Sequence, residues 1–194
     1  MRRKKGFTLV ELLVVISIIS LLTGILLPVL GEAKRQAKSL LGMNNQKQIV
    51  AGVTQFALDH RDSYPKSVAT IKRGITWNWQ EPTMMTAVKS CFPGQYRSMS
   101  YSLRSYIENA SVMFCPNAPR KYEYLQRAWD AGDNWDNPDT DFPDDSVYGT
   151  YCFYWNYTGF LGDQVAPFKG PRDFSGGRGQ SKLLVSDYFG FGHW

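Results

Sequence analysis

The chain has 194 residues, enough for one domain with a real core beside a separate N-terminal segment. Aromatic residues make up 14% of it, a payload of large rings that excludes a disordered protein. The net charge of +5 is no nucleic-acid footprint: Arg2, Arg3, Lys4 and Lys5 hold four of those charges, and no basic stripe interleaved with aromatics remains to track phosphates.

The predicted elements begin at the N-terminus. Residues 2–6 read RRKKG, and residues 7–30 read FTLVELLVVISIISLLTGILLPVL, with Glu11 as the one charge in the second stretch. An α-helix rises 1.5 Å per residue, so roughly 20 apolar residues cross a hydrocarbon core of ~30 Å. This run is long enough to span a membrane. The basic cluster just before it predicts a cytoplasmic N-terminus and an extracytoplasmic remainder. A secretory signal has an apolar core of roughly 7–15 residues and then a small-residue cleavage site. Here the run is longer and is followed by EAKRQAKSLL, a helical segment. A plain single-pass anchor accounts for the length and the leading charges. It leaves unexplained an ionisable residue near the start of the span, which is costly in lipid and needs a partner.

A third reading accounts for all of these features. RRKKGFTLVELLVVISII resembles the prepilin cleavage and methylation motif of type IV pilins and type II secretion pseudopilins. The matching features are a short basic leader, Gly6 before the cut, Phe7 after it, Thr8, and Glu11 four residues beyond Phe7. Pro28 falls where that family commonly has a helix-bending proline. The resemblance is close over residues 5–30 and extends more loosely to about residue 65. It implies cleavage between Gly6 and Phe7 by an inner-membrane aspartyl prepilin peptidase, with N-methylation of Phe7. It also implies a single-pass inner-membrane protein with a periplasmic head, joining other pilin or pseudopilin subunits in a filament at an inner-membrane assembly platform. A glycine at the cut has no side chain and lets an extended backbone enter a narrow cleft. An unpaired carboxylate is strongly disfavoured in lipid, so Glu11 can favour in-register stacking by pairing with the α-amine of a neighbouring subunit's Phe7.

The expected layout is a leader over residues 1–6, a transmembrane and assembly half of the helix over 7–30, an amphipathic half over 31–65, and a globular head over 66–194. In the amphipathic half Ala37, Leu41, Ile49, Val53 and Phe56 recur at three- or four-residue or doubled spacing, with Asn45 in the intervening place. Lys34, Arg35, Lys38 and Lys47 are available for the opposite side. Gly24, Gly31, Gly42 and Gly52 lower helix propensity, and Pro28 removes one backbone hydrogen bond, which predicts a bend or local melting near it. Polar residues 59–63 and then Tyr64-Pro65 end the helix. In the head, residues 75–79, 148–160 and 182–191 are rich in aromatic and β-branched side chains and read as strands. A short helix is expected over 101–108 and an extended segment over 111–116. The fold class is therefore α+β, a long helix packed on a small antiparallel sheet, which is also the fold that the resemblance implies.

Residues 130–146, DAGDNWDNPDTDFPDDS, concentrate Asp with Asn, Gly and Pro. A solvated, turn-rich loop is one reading. A calcium site is the other, with Asp136, Asp139, Asp141, Asp144 and Asp145 as oxygen ligands, although no EF-hand register fits. Major pseudopilins often bind calcium in a loop of the head, so the resemblance admits that ion; no other cofactor is expected. Cys91, Cys115 and Cys152 permit either one disulfide and one thiol or three buried thiols. His60 and His193 are the two histidines, too few for a multi-histidine metal centre. Ser186, Asp187 and His193 sit in no nucleophile elbow, so catalysis is not expected. Two functions remain open: a structural subunit of a pilus or pseudopilus, and a membrane-tethered adhesive module whose aromatic head stacks on a ligand.

Overall fold

The computed structural model describes residues 8–68, 82–86, 98–118, 124–132, 135, 147–159, 168–176 and 179–188. The predicted strand over residues 75–79 lies outside the described residues, as do Cys91 and His193.

Helix α1 runs over Leu9–Asp59. Its start is chemically defined. Thr8 and Glu11 form a reciprocal cap: the Thr8 backbone N–H and hydroxyl each donate to Glu11 Oε2 at 2.8 Å, and the Glu11 N–H donates to Thr8 Oγ1 at 3.2 Å. Its end falls at the predicted polar cluster. Arg61 and Asp62 take positive φ angles of 55° and 61°, and the Asp62 N–H closes back on the Ala57 carbonyl at 2.9 Å. The helical backbone continues without a break through Pro28, so the local melting expected there does not occur. One missing donor leaves the flanking hydrogen bonds to hold the turn.

The chain divides into two compact units, Met1–Leu40 and Leu41–Trp194. In the first, Ser17, Ser20 and Thr23 donate to the carbonyls of Leu13, Ile16 and Ile19 at 2.8–2.9 Å, so these hydroxyls are satisfied within the helix itself.

In the second unit the buried face of α1 consists of Gly42, Asn45, Ile49, Gly52, Val53 and Ala57. This differs in part from the expected stripe, because Leu41 is exposed and two glycines share the face. The glycines are positions of close approach. A Cβ at Gly52 would stand 2.5 Å from Ile107 Cγ1, so the absent side chain admits the segment after α2 (Met99–Leu103). Asn45 is the polar member of the face, and its amide donates to the buried Phe114 carbonyl at 3.0 Å.

The rest of this unit is built of short pieces. Strands β1 (Met84–Thr86) and β2 (Val147–Tyr148) pair antiparallel, as do β3 (Tyr151–Phe153) with β6 (Val185–Asp187), and β4 (Thr158–Gly159) with β5 (Phe168–Lys169). The single strand expected over 148–160 is thus divided. Gly149 and Thr150 interrupt it, and Asn156 turns the chain at φ 52° while its amide donates to the Tyr64 and Pro65 carbonyls at 2.9 Å. The expected helix over 101–108 is shorter and starts earlier, where Ser98 caps the Ser100 N–H. The expected extended segment over 111–116 begins instead as a 3-10 turn, Ala110–Met113, because Asn109 Oδ1 accepts the Ser111 N–H at 2.9 Å. Helix α3 (Leu125–Ala131) was not expected at all. Trp129, Trp135, Trp155, Tyr151, Tyr157 and Phe153 are fully buried and form the heart of the core.

Candidate functional site

The functional chemistry expected from the sequence concentrates at the start of α1. Gly6 and Phe7 lie outside the described residues, whereas Thr8 and Glu11 are placed. Both Thr8 bonds fall on Glu11 Oε2. Among the described residues Oε1 accepts no hydrogen bond, and it is the carboxylate's remaining acceptor for an amine. The cap was legible, since Thr-x-x-Glu at a helix start is a capping-box signature. Glu11, expected from its position to act in assembly, also starts the helix.

Beyond Glu11 the helix presents an apolar surface with no partner. Its most apolar 18-residue window has a mean hydropathy of 2.7 and none of that window is buried. Leu9, Leu21, Leu22, Ile25, Leu27 and Val29 are each more than 60% exposed. A water-soluble domain does not leave such a surface bare, because removing apolar area from water is the main favourable term in folding. Residues 1–27 match the family described as the prokaryotic N-terminal methylation motif. The N-terminal segment thus carries a prepilin-type methylation motif. It is 33% identical over 75 residues to the type IV wide pilus major component PilA4 of Thermus thermophilus. That stretch covers 39% of this chain and 57% of the relative, so the chain spans little more than half the length of the curated protein it matches. No solved structure matches. The motif and the apolar helix together support a membrane-anchored pilin-like chain.

The remaining candidates fall elsewhere. Asp136, Asp139, Asp141, Asp144 and Asp145 lie outside the described residues. Among the described residues no group of three or more His, Cys, Asp or Glu side chains is placed to hold a metal ion. Cys152 is buried, Cys115 is half-buried, and both stand as thiols. Ser186 Oγ lies 3.2 Å from Tyr154 Oη and donates to the Asp187 carbonyl at 3.1 Å. His60 stacks on Phe56 with ring centroids 3.8 Å apart, and its Nδ1 lies 2.7 Å from the Phe56 carbonyl. That geometry finishes a helix.

Electrostatic shifts in the head are structural in origin. Burial pushes the Tyr151 hydroxyl well above the usual tyrosine range. That hydroxyl donates to the Gly42 carbonyl at 3.3 Å. Tyr106 is raised chiefly by its 2.8 Å hydrogen bond to Asp59. Asp173 is lowered first by the Ser175 hydroxyl at 2.6 Å and next by the Gly176 N–H at 3.0 Å.

Proposed function

We propose that the chain is a structural subunit of a type IV pilus or a type II secretion pseudopilus, with no catalytic role of its own. The observation that carries this reading is the methylation-motif match over residues 1–27, which takes in the start of an apolar helix left exposed along its span. In this reading a prepilin peptidase cuts between Gly6 and Phe7 and methylates the Phe7 amine. The span then holds the chain in the inner membrane, N-terminus cytoplasmic and head periplasmic, until it joins other subunits at an assembly platform. Glu11 Oε1 receives a neighbour's α-amine, and Oε2 keeps its bonds to Thr8. In lipid that ion pair has no water to compete with it, so subunits entering out of register leave a carboxylate uncompensated. An adhesive head would need exposed rings, and of the described tryptophans Trp129, Trp135 and Trp155 are buried in the core.

Intact-mass measurement of the membrane-extracted protein, with and without a prepilin peptidase, tests the proposal. The expected result is loss of residues 1–6 and gain of one methyl group when the peptidase is present. Gly6→Val should retain the leader, because the cut needs an unhindered backbone. A full-length mass beside active peptidase, or complete leader removal from Gly6→Val, would overturn it.

A further inference from the structure

Just past the apolar span, α1 carries Glu32, Lys34, Arg35 and Lys38, all exposed. Glu32 is already engaged: Arg35 lies 2.8 Å from it, and Gln36 donates to it at 3.3 Å. At about 100° per residue, Glu32 sits roughly 160° around the helix from Lys34. Lys34 and Lys38, four residues apart, share one face, and among the described residues neither has an anionic partner. Two like charges in that arrangement repel each other unless an anion lies between or beside them.

Their depth identifies the anion. If residues 9–30 fill the hydrocarbon, Lys34 and Lys38 emerge about 6 and 12 Å beyond Leu30. The polar layer of one leaflet is roughly 5–7 Å thick, so the Lys34 backbone stands near its outer edge and that of Lys38 about 5 Å beyond it. Side chains on an α-helix tilt toward its N-terminus, which here is toward the bilayer, so both long side chains lean back toward the phosphates. We propose that Lys34 and Lys38 form a docking stripe for the phosphates of acidic phospholipids where α1 leaves the membrane. The proposal rests on the membrane-anchored reading. On that reading cleavage removes the four leader charges, and this stripe becomes the principal cationic hold of the processed subunit on its bilayer.

The test uses the full chain in phosphatidylcholine vesicles, with spin-labelled phosphatidylglycerol or spin-labelled phosphatidylcholine as the probe. The motionally restricted fraction of each probe gives its relative affinity for the chain. Wild type is expected to prefer phosphatidylglycerol, and Lys34→Gln with Lys38→Gln to lower that preference by roughly fivefold for each lysine. The leader charges are common to both chains and cancel. Glu32→Gln removes a negative charge without touching the stripe, and the preference should hold or rise. An unchanged preference in the double variant, with the chain still floating with the vesicles, overturns the proposal alone. Loss of chain-to-chain cross-linking in that variant with lipid preference intact also overturns it, in favour of a carboxylate on a second copy. A wild-type chain that does not float with the vesicles overturns the anchoring reading itself.

Discussion

Gly42 and Gly52 lie ten residues apart on the buried face of α1, yet replacing each with alanine should have opposite effects. In a helix interior alanine is favoured over glycine by about 0.8–1.0 kcal/mol. At Gly42 a new Cβ would meet Pro116 Cδ at 3.6 Å and Tyr151 Oη at 3.7 Å, ordinary van der Waals distances, so Gly42→Ala should keep most of that gain. At Gly52 the Cβ would stand 2.5 Å from Ile107 Cγ1 and 2.8 Å from Ile107 Cδ1. Ile107 is 5% exposed and has little room to retreat. Overpacking of this kind costs about 1–3 kcal/mol, leaving Gly52→Ala destabilised by roughly 0–2 kcal/mol after the propensity gain. For a domain of this size 1 kcal/mol moves Tm by about 2–4 °C. Thermal unfolding of a chain beginning at residue 32 should therefore rise by a few degrees for Gly42→Ala and fall by up to twice that for Gly52→Ala. Ile107→Ala removes both clashing carbons, so the double variant should show a favourable coupling between the two sites. Gly52→Ala stabilising as much as Gly42→Ala, with no coupling to Ile107, would refute the close-approach argument.

Three further predictions concern Tyr151, Glu11 and the acidic loop. The raised Tyr151 pKa means that the folded state holds this proton more tightly, so its stabilising effect is complete below the unfolded value of about 10 and is lost as pH rises above it. Tyr151→Phe should flatten the fall in denaturant midpoint between about pH 9 and 11, and an unchanged slope would place the loss elsewhere. Glu11→Gln should still be processed and membrane-resident but enter filaments poorly when co-expressed with wild type, and normal cross-linking into the assembled fraction would end the assembly role. If the acidic loop over residues 130–146 binds calcium, millimolar Ca²⁺ should raise the head's Tm and Mg²⁺ should do less. An equal shift with both ions, or none, returns those aspartates to a solvated turn.

Much of the head was hidden from the sequence because its contacts are short and non-local. Among the described residues its strands are two or three residues long, too brief for an alternating pattern to declare a face. Residues 148–160 read as one strand because they are aromatic and β-branched. The breaks at Gly149 and Asn156 are held by distant partners: the Gly149 N–H reaches the Thr83 carbonyl at 2.8 Å, and the Asn156 amide reaches the Tyr64 and Pro65 carbonyls at 2.9 Å. A Cβ on Gly170 would collide with the Tyr154 carbonyl, a requirement that no local window reveals. Helix α3 carries no such signature, because Tyr124 supplies no side-chain cap at its start.

The N-terminus was legible for the converse reason: its determinants lie within a few residues of one another. Thr8 and Glu11 are one turn apart, so the spacing alone brings hydroxyl, amide and carboxylate together without help from a fold. The same spacing gives Glu11→Gln its discriminating power. Glutamine also serves at the third position of a capping box, so that substitution keeps the helix start and removes the charge. Glu11→Leu removes both. A defect shared by the two variants belongs to the charge, and one confined to Leu belongs to the cap. The position can therefore be divided into its local and intermolecular parts, a separation that the head's long-range contacts do not permit at a single residue.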